Sequence, residues 1–173
     1  MITEKASINE QVMLADRDDD TQFLTFMMAG EEYGMDILAV QEIRGWEEVT
    51  AIPNAPKYVN GAINLRGTIV PIIDLRVRFG LPQIEYGALT VVIVVSVVIK
   101  EATKIMGLVV DAVSDVYSIN EETAKDVPDF QDSENSQFVQ GLVNVGEKMV
   151  VLLNLKKILD LEVKQNEQLV VGG

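Results

Sequence analysis

Residues 59–79 of this 173-residue chain read VNGAINLRGTIVPIIDLRVRF and contain its main architectural signal. Two apolar runs flank Arg66-Gly67, and glycine takes a positive φ without steric cost, so the pattern predicts a β-hairpin with a two-residue turn. Pro71 cannot donate a ladder hydrogen bond, so its strand is expected at a sheet edge or at a bulge. Asp74 is a good N-cap and predicts a short helix after the second strand.

The same strand–turn–strand–helix unit returns without a gap, 80 residues later, at residues 139–159. Its matching residues are Val59, Gly61, Asn64, Val70 and Leu75, which recur as Val139, Gly141, Asn144, Val150 and Leu155. Gly34 recurs as Gly107, only 73 residues later, so the acidic segment 121–137 contains a seven-residue insertion. The chain is therefore expected to be a duplication.

Further strands are predicted around this unit. Residues 22–28 and the segment from Tyr33 form one hairpin, and residues 90–98 and 104–110 form another. Residues 37–43 space apolar side chains at helical intervals, which predicts a short helix. Short strands with little helix indicate an all-β fold. A lone barrel of roughly 60 residues has a thin core, because a small domain buries a smaller fraction of its surface than a large one. The two copies are therefore expected to be small barrels that pack together and exchange strands.

Domain limits follow from composition. Residues 1–20 end in a run of aspartates and are expected to be a flexible acidic tail. Residues 21–163 are expected to form a single domain of two pseudo-repeated barrels, and residues 164–173 a second flexible tail. No basic-then-apolar signal peptide is seen, and the longest apolar run, residues 89–99, is too short to span a membrane, which needs about 20 residues. The protein is therefore expected to be soluble and intracellular.

Charge and missing residue types exclude several functions. The formal net charge is −13, which repels nucleic-acid phosphates and anionic membrane surfaces. The chain has no cysteine and no histidine, so disulfides, thiolate nucleophiles, imidazole metal ligands and a Ser-His-Asp triad are all excluded. No phosphate-binding glycine loop or calcium-binding loop is present. Neither a cofactor nor a metal is expected.

Arg66 is the first candidate for a binding role. An exposed turn arginine is the simpler interpretation, but the second copy has Gly146 at this place, so the duplicated unit does not require arginine. Arginine binds carboxylates through two parallel hydrogen bonds, which makes a hairpin-tip arginine a natural contact for a partner. Both interpretations remain open from the residues alone.

Glu42 and Arg44 are a second candidate, near Trp46. They are interpreted either as a solvated helix end or as a mixed contact patch. Trp46 is the single tryptophan and is expected in the core, although tryptophan is enriched at binding hot spots. Asp74 is most simply a helix cap.

Three segments together resemble one known family. They are EEYGMDILAVQEIRG at residues 31–45, GAINLRGTIVPIIDL at residues 61–75 and GLVVDAVSDV at residues 107–116. They are similar to the CheW chemotaxis coupling proteins, and the resemblance covers about residues 20–163. It implies two intertwined five-stranded, SH3-like β-barrels with a few short helices.

The resemblance also implies a function. A CheW protein is a cytoplasmic, non-catalytic adaptor that links the tips of methyl-accepting chemoreceptors to the regulatory domain of the histidine kinase CheA, with contacts between CheW copies as a further partner interaction in arrays. Matching positions imply partner contacts at Val40, Glu42, Gly61, Arg66, Val91 and Val116. Two other functions stay open beside it: a β module that binds a small molecule, and a hydrolase that uses carboxylates alone.

Overall fold

The computed structural model describes residues 21–119 and 137–160. The described part contains ten strands. Their bounds are β1 Thr21–Met28, β2 Glu31–Asp36, β3 Val40–Gly45, β4 Val59–Leu65, β5 Thr68–Asp74, β6 Val91–Ile99, β7 Ala102–Val110, β8 Ala112–Ile119, β9 Val139–Val145 and β10 Lys148–Leu153. Short helices follow β5 at Leu75–Arg78 and follow β10 at residues 155–160, and a 3₁₀ turn, Ile37–Ala39, precedes β3. The all-β prediction is confirmed.

The strands form two five-stranded sheets that exchange elements between the two halves of the chain. The first barrel has the order β8-β1-β2-β10-β9 and the second has β3-β6-β7-β5-β4. If β1 to β5 are matched to β6 to β10, each order becomes the other. The predicted duplication with strand exchange is therefore confirmed, and each barrel takes its central hairpin from one half and its three other strands from the other half.

Two glycines mark equivalent points in the two copies. Gly34 in β2 pairs in parallel with Leu152 of β10, and Gly107 in β7 pairs in parallel with Ile72 of β5. A Cβ built on Gly107 would lie 2.5 Å from Ile72 Cδ1, and one on Gly34 would lie 3.2 Å from Leu152 Cδ2. The parallel strands therefore cross both positions at a distance that leaves little room for a side chain, and the second barrel is the tighter.

The buried apolar residues form three clusters. The largest draws on both sheets, with Leu24 and Phe26 from the first barrel and Ile73 and Ile93 from the second. Each barrel also has a smaller cluster of its own, around Phe23 and Leu152 in the first and around Leu65, Val70 and Ile72 in the second. Burial of apolar surface is the main stabilising term in folding, so the shared cluster makes the barrels interdependent.

A polar contact fastens the crossover from the second barrel to the first. Asp111 lies between β7 and β8, and its carboxylate accepts hydrogen bonds of 2.9 and 3.0 Å from Arg76 Nε and Nη2. The same carboxylate accepts a bond of 2.8 Å from the Ala29 N–H in the β1–β2 turn. Burial raises the pKa of Asp111, but these hydrogen bonds and the Arg76 charge outweigh it, so the pKa is lowered overall. The contact joins the helix after β5 to both barrels.

Two local predictions need correction. Residues 37–43 are not a helix: only Ile37–Ala39 forms a 3₁₀ turn, and Val40–Gly45 is strand β3, because antiparallel pairing with β6 overrides the helical spacing. The β6–β7 hairpin is longer than predicted. It turns at Lys100 and Glu101 alone, both with positive φ, so residues 102 and 103 belong to β7.

Pro71 lies in an internal strand, because β5 has β7 on one side and β4 on the other. The prediction of an edge strand is therefore wrong. Pro71 pairs with Ala62 of β4, and the parallel pairing with β7 begins one residue later, at Ile72. The register shift in this hairpin lies on β4, between Val59 and Gly61. The missing N–H of Pro71 is tolerated because pairing with β7 has not yet begun.

Candidate functional site: an arginine hairpin tip and its surroundings

The tip of the β4–β5 hairpin is a turn with left-handed backbone at both central residues. Arg66 has a φ of 51° and Gly67 a φ of 88°, which is the geometry of a type I′ turn. Asn64 Oδ1 accepts a hydrogen bond of 2.8 Å from the Gly67 N–H. In the second copy the matching residue is Gly146, with a φ of 62°. Arg66 thus adopts a conformation that costs a non-glycine residue roughly 1–2 kcal/mol.

The Arg66 guanidinium contacts a carboxylate of its own chain. Arg66 Nη2 donates a hydrogen bond of 2.8 Å to Glu42 Oε1 on β3, and Arg44 Nη1 lies 3.9 Å from Glu42 Oε2. Arg44 also reaches Glu47, at 3.7 Å. The Arg66 side chain remains 74% exposed. An exposed ion pair contributes only about 0–1 kcal/mol to folding, so a partner carboxylate can compete for Arg66 at little cost.

Two exposed isoleucines are close in sequence to these charged residues. Ile43 follows Glu42 on β3 and is 42% exposed, and Ile69 follows the hairpin turn and is 66% exposed. We call Glu42, Ile43, Arg44, Arg66 and Ile69 the Arg66 patch. Apolar side chains beside an exposed arginine are the combination that protein interfaces favour.

Two of the three valines predicted to contact partners, Val40 and Val91, lie along the β3–β6 pairing. Val40 pairs with Val95 at one end of β3, and Val91 pairs with Gly45 at the other. Both valines are half-buried and pack against the shared core cluster. They are on the same strand pair that carries Glu42, so the structure brings three of the six predicted residues onto β3 and β6.

Gly61 and Val116 are buried. A Cβ on Gly61 would lie 2.2 Å from the Thr50 carbonyl oxygen, and its φ is 152°, so this position accommodates no side chain. Val116 is 8% exposed, pairs with Leu24 in the first barrel and belongs to the shared core. For both residues a part in partner binding stays a prediction, and it would act through the shape of the surrounding surface.

A partly buried hydrogen-bond network supports the loop between the first helix and β6. The Tyr86 hydroxyl donates to Asp74 Oδ2 and accepts from Asn60 Nδ2 at 2.8 Å. Burial and the Asp74 hydrogen bond raise the pKa of Tyr86 to about 12. Trp46 packs edge-on against the Tyr86 ring, with centroids 4.4 Å apart. Trp46 is half-buried over the core of the second barrel rather than fully buried, which partly corrects its expected place in the core.

Asp74 caps its helix as predicted, and Asn154 caps the second helix in the same way. Asp74 Oδ1 accepts a hydrogen bond from the Val77 N–H, and Asn154 Oδ1 accepts one from the Lys157 N–H, both at 3.2 Å. Among residues 21–119 and 137–160 there is no group of three or more histidine, cysteine or acidic residues that could hold a metal ion. Within the same ranges, no helix is long and apolar enough to cross a membrane.

Comparison with known proteins identifies the class of this duplicated β-barrel chain. A family model described as a CheW-like domain matches residues 22–163. The chain is 45% identical over 141 residues to the chemotaxis protein CheW of Klebsiella aerogenes, covering 82% of each protein, and 36% identical over 139 residues to a probable chemotaxis protein CheW of Rhizobium etli, covering 80% of this chain and 87% of that one.

A solved structure agrees with the family model. The chain matches the crystal structure of the scaffolding protein TtCheW from Thermoanaerobacter tengcongensis with a TM-score of 0.69 and 34% identity, over 79% of this chain and 85% of that one. The chain therefore belongs to the CheW family of chemotaxis proteins, and the family resemblance predicted from the sequence is confirmed.

Sequence reasoning missed the partners of the predicted site residues. Glu42 and Arg66 were both selected, but nothing in their 24-residue separation shows that they form an ion pair. The Trp46–Tyr86–Asp74 contacts were also missed, because they join three separate segments. Strand β3 had no alternating sequence signal either, because its charged residues Glu42 and Arg44 are half-buried while apolar Ile43 is exposed.

Proposed function

We propose that this protein is a non-catalytic adaptor that couples methyl-accepting chemoreceptors to the histidine kinase CheA in cytoplasmic signalling arrays. Its membership of the CheW family supports this, and the observation that carries it is the Arg66 patch. The patch keeps a strained, exposed arginine where the equivalent hairpin has glycine. Strain that the fold does not require is typical of functional positions.

The adaptor would act by binding two partners at once. Arg66 would exchange its Glu42 carboxylate for one on a partner, while Ile43 and Ile69 would supply apolar contact area. The valines of the β3–β6 pair would extend this surface on the same barrel. Individual contacts of this size are weak, and assembly of many copies into an array multiplies them.

The absence of catalytic chemistry is part of the proposal. The sequence contains no histidine and no cysteine. Two of the less exposed aspartates have structural partners: buried Asp74 caps a helix and half-buried Asp111 binds Arg76. A carboxylate hydrolase needs a pair of carboxylates, one of them with a raised pKa, and the pKa of Asp111 is lowered.

The decisive experiment reconstitutes kinase control from purified receptor, CheA and this protein. Receptor-dependent stimulation of CheA autophosphorylation is expected only when all three are present. If the protein binds neither partner, or binds both without changing kinase activity, the adaptor proposal is wrong.

Arg66 is tested by charge reversal. Arg66→Glu places two carboxylates together at the tip, and because the pair is exposed, the change in unfolding free energy should stay within about 1 kcal/mol. Affinity for CheA or receptor should fall about tenfold or more, as for an interface hot spot of roughly 1.4 kcal/mol. Glu147→Arg, at the equivalent tip of the first barrel, is the matched control and should leave that affinity unchanged. Unchanged binding of Arg66→Glu to both partners would remove Arg66 from the site.

A further inference from the structure

Two arginines share the carboxylate of Glu42, at different distances. Arg66 Nη2 donates a hydrogen bond of 2.8 Å to Glu42 Oε1, whereas Arg44 Nη1 lies 3.9 Å from the other oxygen, Oε2. The first distance is that of a charge-assisted hydrogen bond, and the second is beyond the usual hydrogen-bond range, which ends near about 3.2 Å. Arg44 is therefore beside Glu42 without being bonded to it.

The rest of the Arg44 guanidinium is held equally loosely. Its Nη2 lies 3.7 Å from Oε2 of the largely exposed Glu47. A guanidinium carries several N–H donors, and within residues 21–119 and 137–160 Arg44 uses none of them in a side-chain hydrogen bond. Arg44 can therefore approach Glu42 without breaking a hydrogen bond to any of these residues.

The register of β3 explains why these charges are half-buried. Glu42 pairs with Val94 of β6. Arg44 pairs with Val92, and directly paired residues of antiparallel strands share a face of the sheet. Both valines belong to the core cluster of the second barrel. The two charged side chains thus lie at the rim of that core, on an end strand of the sheet, and are only 29% and 32% exposed.

Partial burial makes the pairing of Glu42 important once a partner covers the tip. A carboxylate that loses its water and has no cation or donor is far more costly than an exposed one. If Arg66 turns to a carboxylate of the partner, Glu42 loses its hydrogen bond. Arg44 needs to move by only about 1 Å to supply a new one.

The first copy keeps a carboxylate at this place but neither arginine. Glu42 recurs as Asp115, and the two arginines recur as Tyr117 and Gly146. Asp115 Oδ1 accepts a hydrogen bond of 2.8 Å from the Val116 N–H. The duplicated fold therefore requires neither arginine to form a barrel, and the pair of arginines is specific to the second barrel.

We propose that Arg44 is a positioning residue of the adaptor surface and serves as the second counter-ion of Glu42. When Arg66 turns to a carboxylate of the partner, Arg44 closes onto Glu42, so that each of the two carboxylates in the interface keeps an arginine. The proposal rests on the proposed adaptor function, since it requires a partner carboxylate at Arg66. The competing arrangement is one in which Arg66 bonds both carboxylates at once and Arg44 stays in place.

The first test needs no partner. In a crystal structure of the full-length Arg66→Ala variant, Arg44 Nη1 should lie about 1 Å closer to Glu42 Oε2 than its present 3.9 Å. In NMR exchange spectra, rotation of the Arg44 guanidinium about its Nε–Cζ bond should be slower in this variant than in the wild type, and adding Glu42→Gln should abolish the difference. If both the distance and the rotation match the wild type, the proposal is overturned without contradicting the adaptor function.

The second test is a double-mutant cycle in partner binding. Titration calorimetry measures the affinity of the full chain for CheA and for a receptor fragment. Arg44→Gln should weaken binding of the partner that contacts Arg66 by about tenfold, and Arg44→Lys should restore most of the loss. In the Glu42→Gln background the same Arg44→Gln change should have little effect, because no charge is left at residue 42 to compensate.

Controls separate this role from a structural one and from the adaptor proposal. Lys57→Gln removes the same charge in the loop before β4 and should leave the affinity unchanged. A structural role of Arg44 would lower the free energy of unfolding and would weaken binding equally with and without Glu42. That result, or full affinity of Arg44→Gln alongside weak binding of Arg66→Glu, would overturn this proposal alone, whereas unchanged binding of Arg66→Glu would contradict the adaptor site itself.

Discussion

The close approach at Gly107 makes a quantitative prediction about the second barrel. In Gly107→Ala the new Cβ would lie 2.5 Å from Ile72 Cδ1 and 2.7 Å from Val92 Cγ1. Both distances are far below van der Waals contact, and neither neighbour can move without disturbing the barrel core, where both are buried. Overpacking of this kind costs about 2–3 kcal/mol, which lowers Tm by roughly 4–12 °C in a chain of this size.

The duplication supplies the matched control. In Gly34→Ala the new Cβ would lie 3.2 Å from Leu152 Cδ2 and 3.3 Å from Val150 Cγ1, which small side-chain shifts relieve. Its cost should stay below about 1 kcal/mol, since alanine in a strand regains roughly 0.5–1 kcal/mol of backbone entropy. Urea unfolding followed by Trp46 fluorescence and circular dichroism measures both variants.

A second substitution tests the named contact directly. Ile72→Val removes Cδ1 and alone costs about 0.5–1.5 kcal/mol. Combined with Gly107→Ala it should be less destabilising than the two single costs together, by about 1 kcal/mol, because the closest contact is gone while the Val92 contact remains. If Gly107→Ala is no more destabilising than Gly34→Ala, or if the double variant is additive, the clash is not what constrains this position.

Three further predictions concern the partly buried polar contacts. Asp111→Asn weakens both hydrogen bonds from Arg76 and should lower the free energy of unfolding in urea at pH 7 by about 2–3 kcal/mol. A loss below about 0.5 kcal/mol, the size of an ordinary surface substitution, would show that the Asp111–Arg76 contact does not stabilise the fold. Because the pKa of Asp111 is lowered on folding, the carboxylate contributes its full stabilisation above the ordinary aspartate pKa of about 4. This stabilisation is lost as the pH falls through the lower pKa of the folded state. The urea midpoint of the wild type should therefore drop more between about pH 7 and pH 3 than that of Asp111→Asn. Tyr86→Phe should lower the free energy of unfolding by about 1–2 kcal/mol, because the hydrogen bond to Asp74 is lost. In an ultraviolet titration of the wild type, one tyrosine should ionise near pH 12, and this step should be absent from the variant.

Much of the fold was predictable because the duplication repeats its local signals. The hairpin around Arg66-Gly67 and its copy at Gly146 are both present, and Asp74 and Asn154 both cap helices. Each of these features depends on residues that are close in sequence. Local turn and capping chemistry is therefore readable from the chain without knowledge of its tertiary partners.

The remaining features depend on contacts between distant segments. β3 was predicted as a helix because its apolar spacing is compatible with both structures, and only pairing with β6 makes it a strand. The ion pair of Arg66 with Glu42 requires the hairpin tip to reach β3. Lys100 and Lys156 meet in one groove because the exchange of strands places the β6–β7 turn beside the second helix. Such placements follow from topology, which local patterns do not determine.

The exchange of strands also sets an order of assembly during synthesis. All strands of the second barrel lie within residues 40–110, whereas the first barrel needs β1 and β2 from the beginning of the chain and β8 to β10 from its end. As the chain leaves the ribosome, the second barrel is complete while the β1–β2 hairpin still lacks its neighbours β8 and β10. The shared core gives this waiting hairpin a place to pack, because Leu24 and Phe26 can cover Ile73 and Ile93 before β8 has been made. Nascent chains stalled with residue 110 outside the exit tunnel should therefore resist protease within residues 40–110, and a chain that is digested there would show that closure waits for β10.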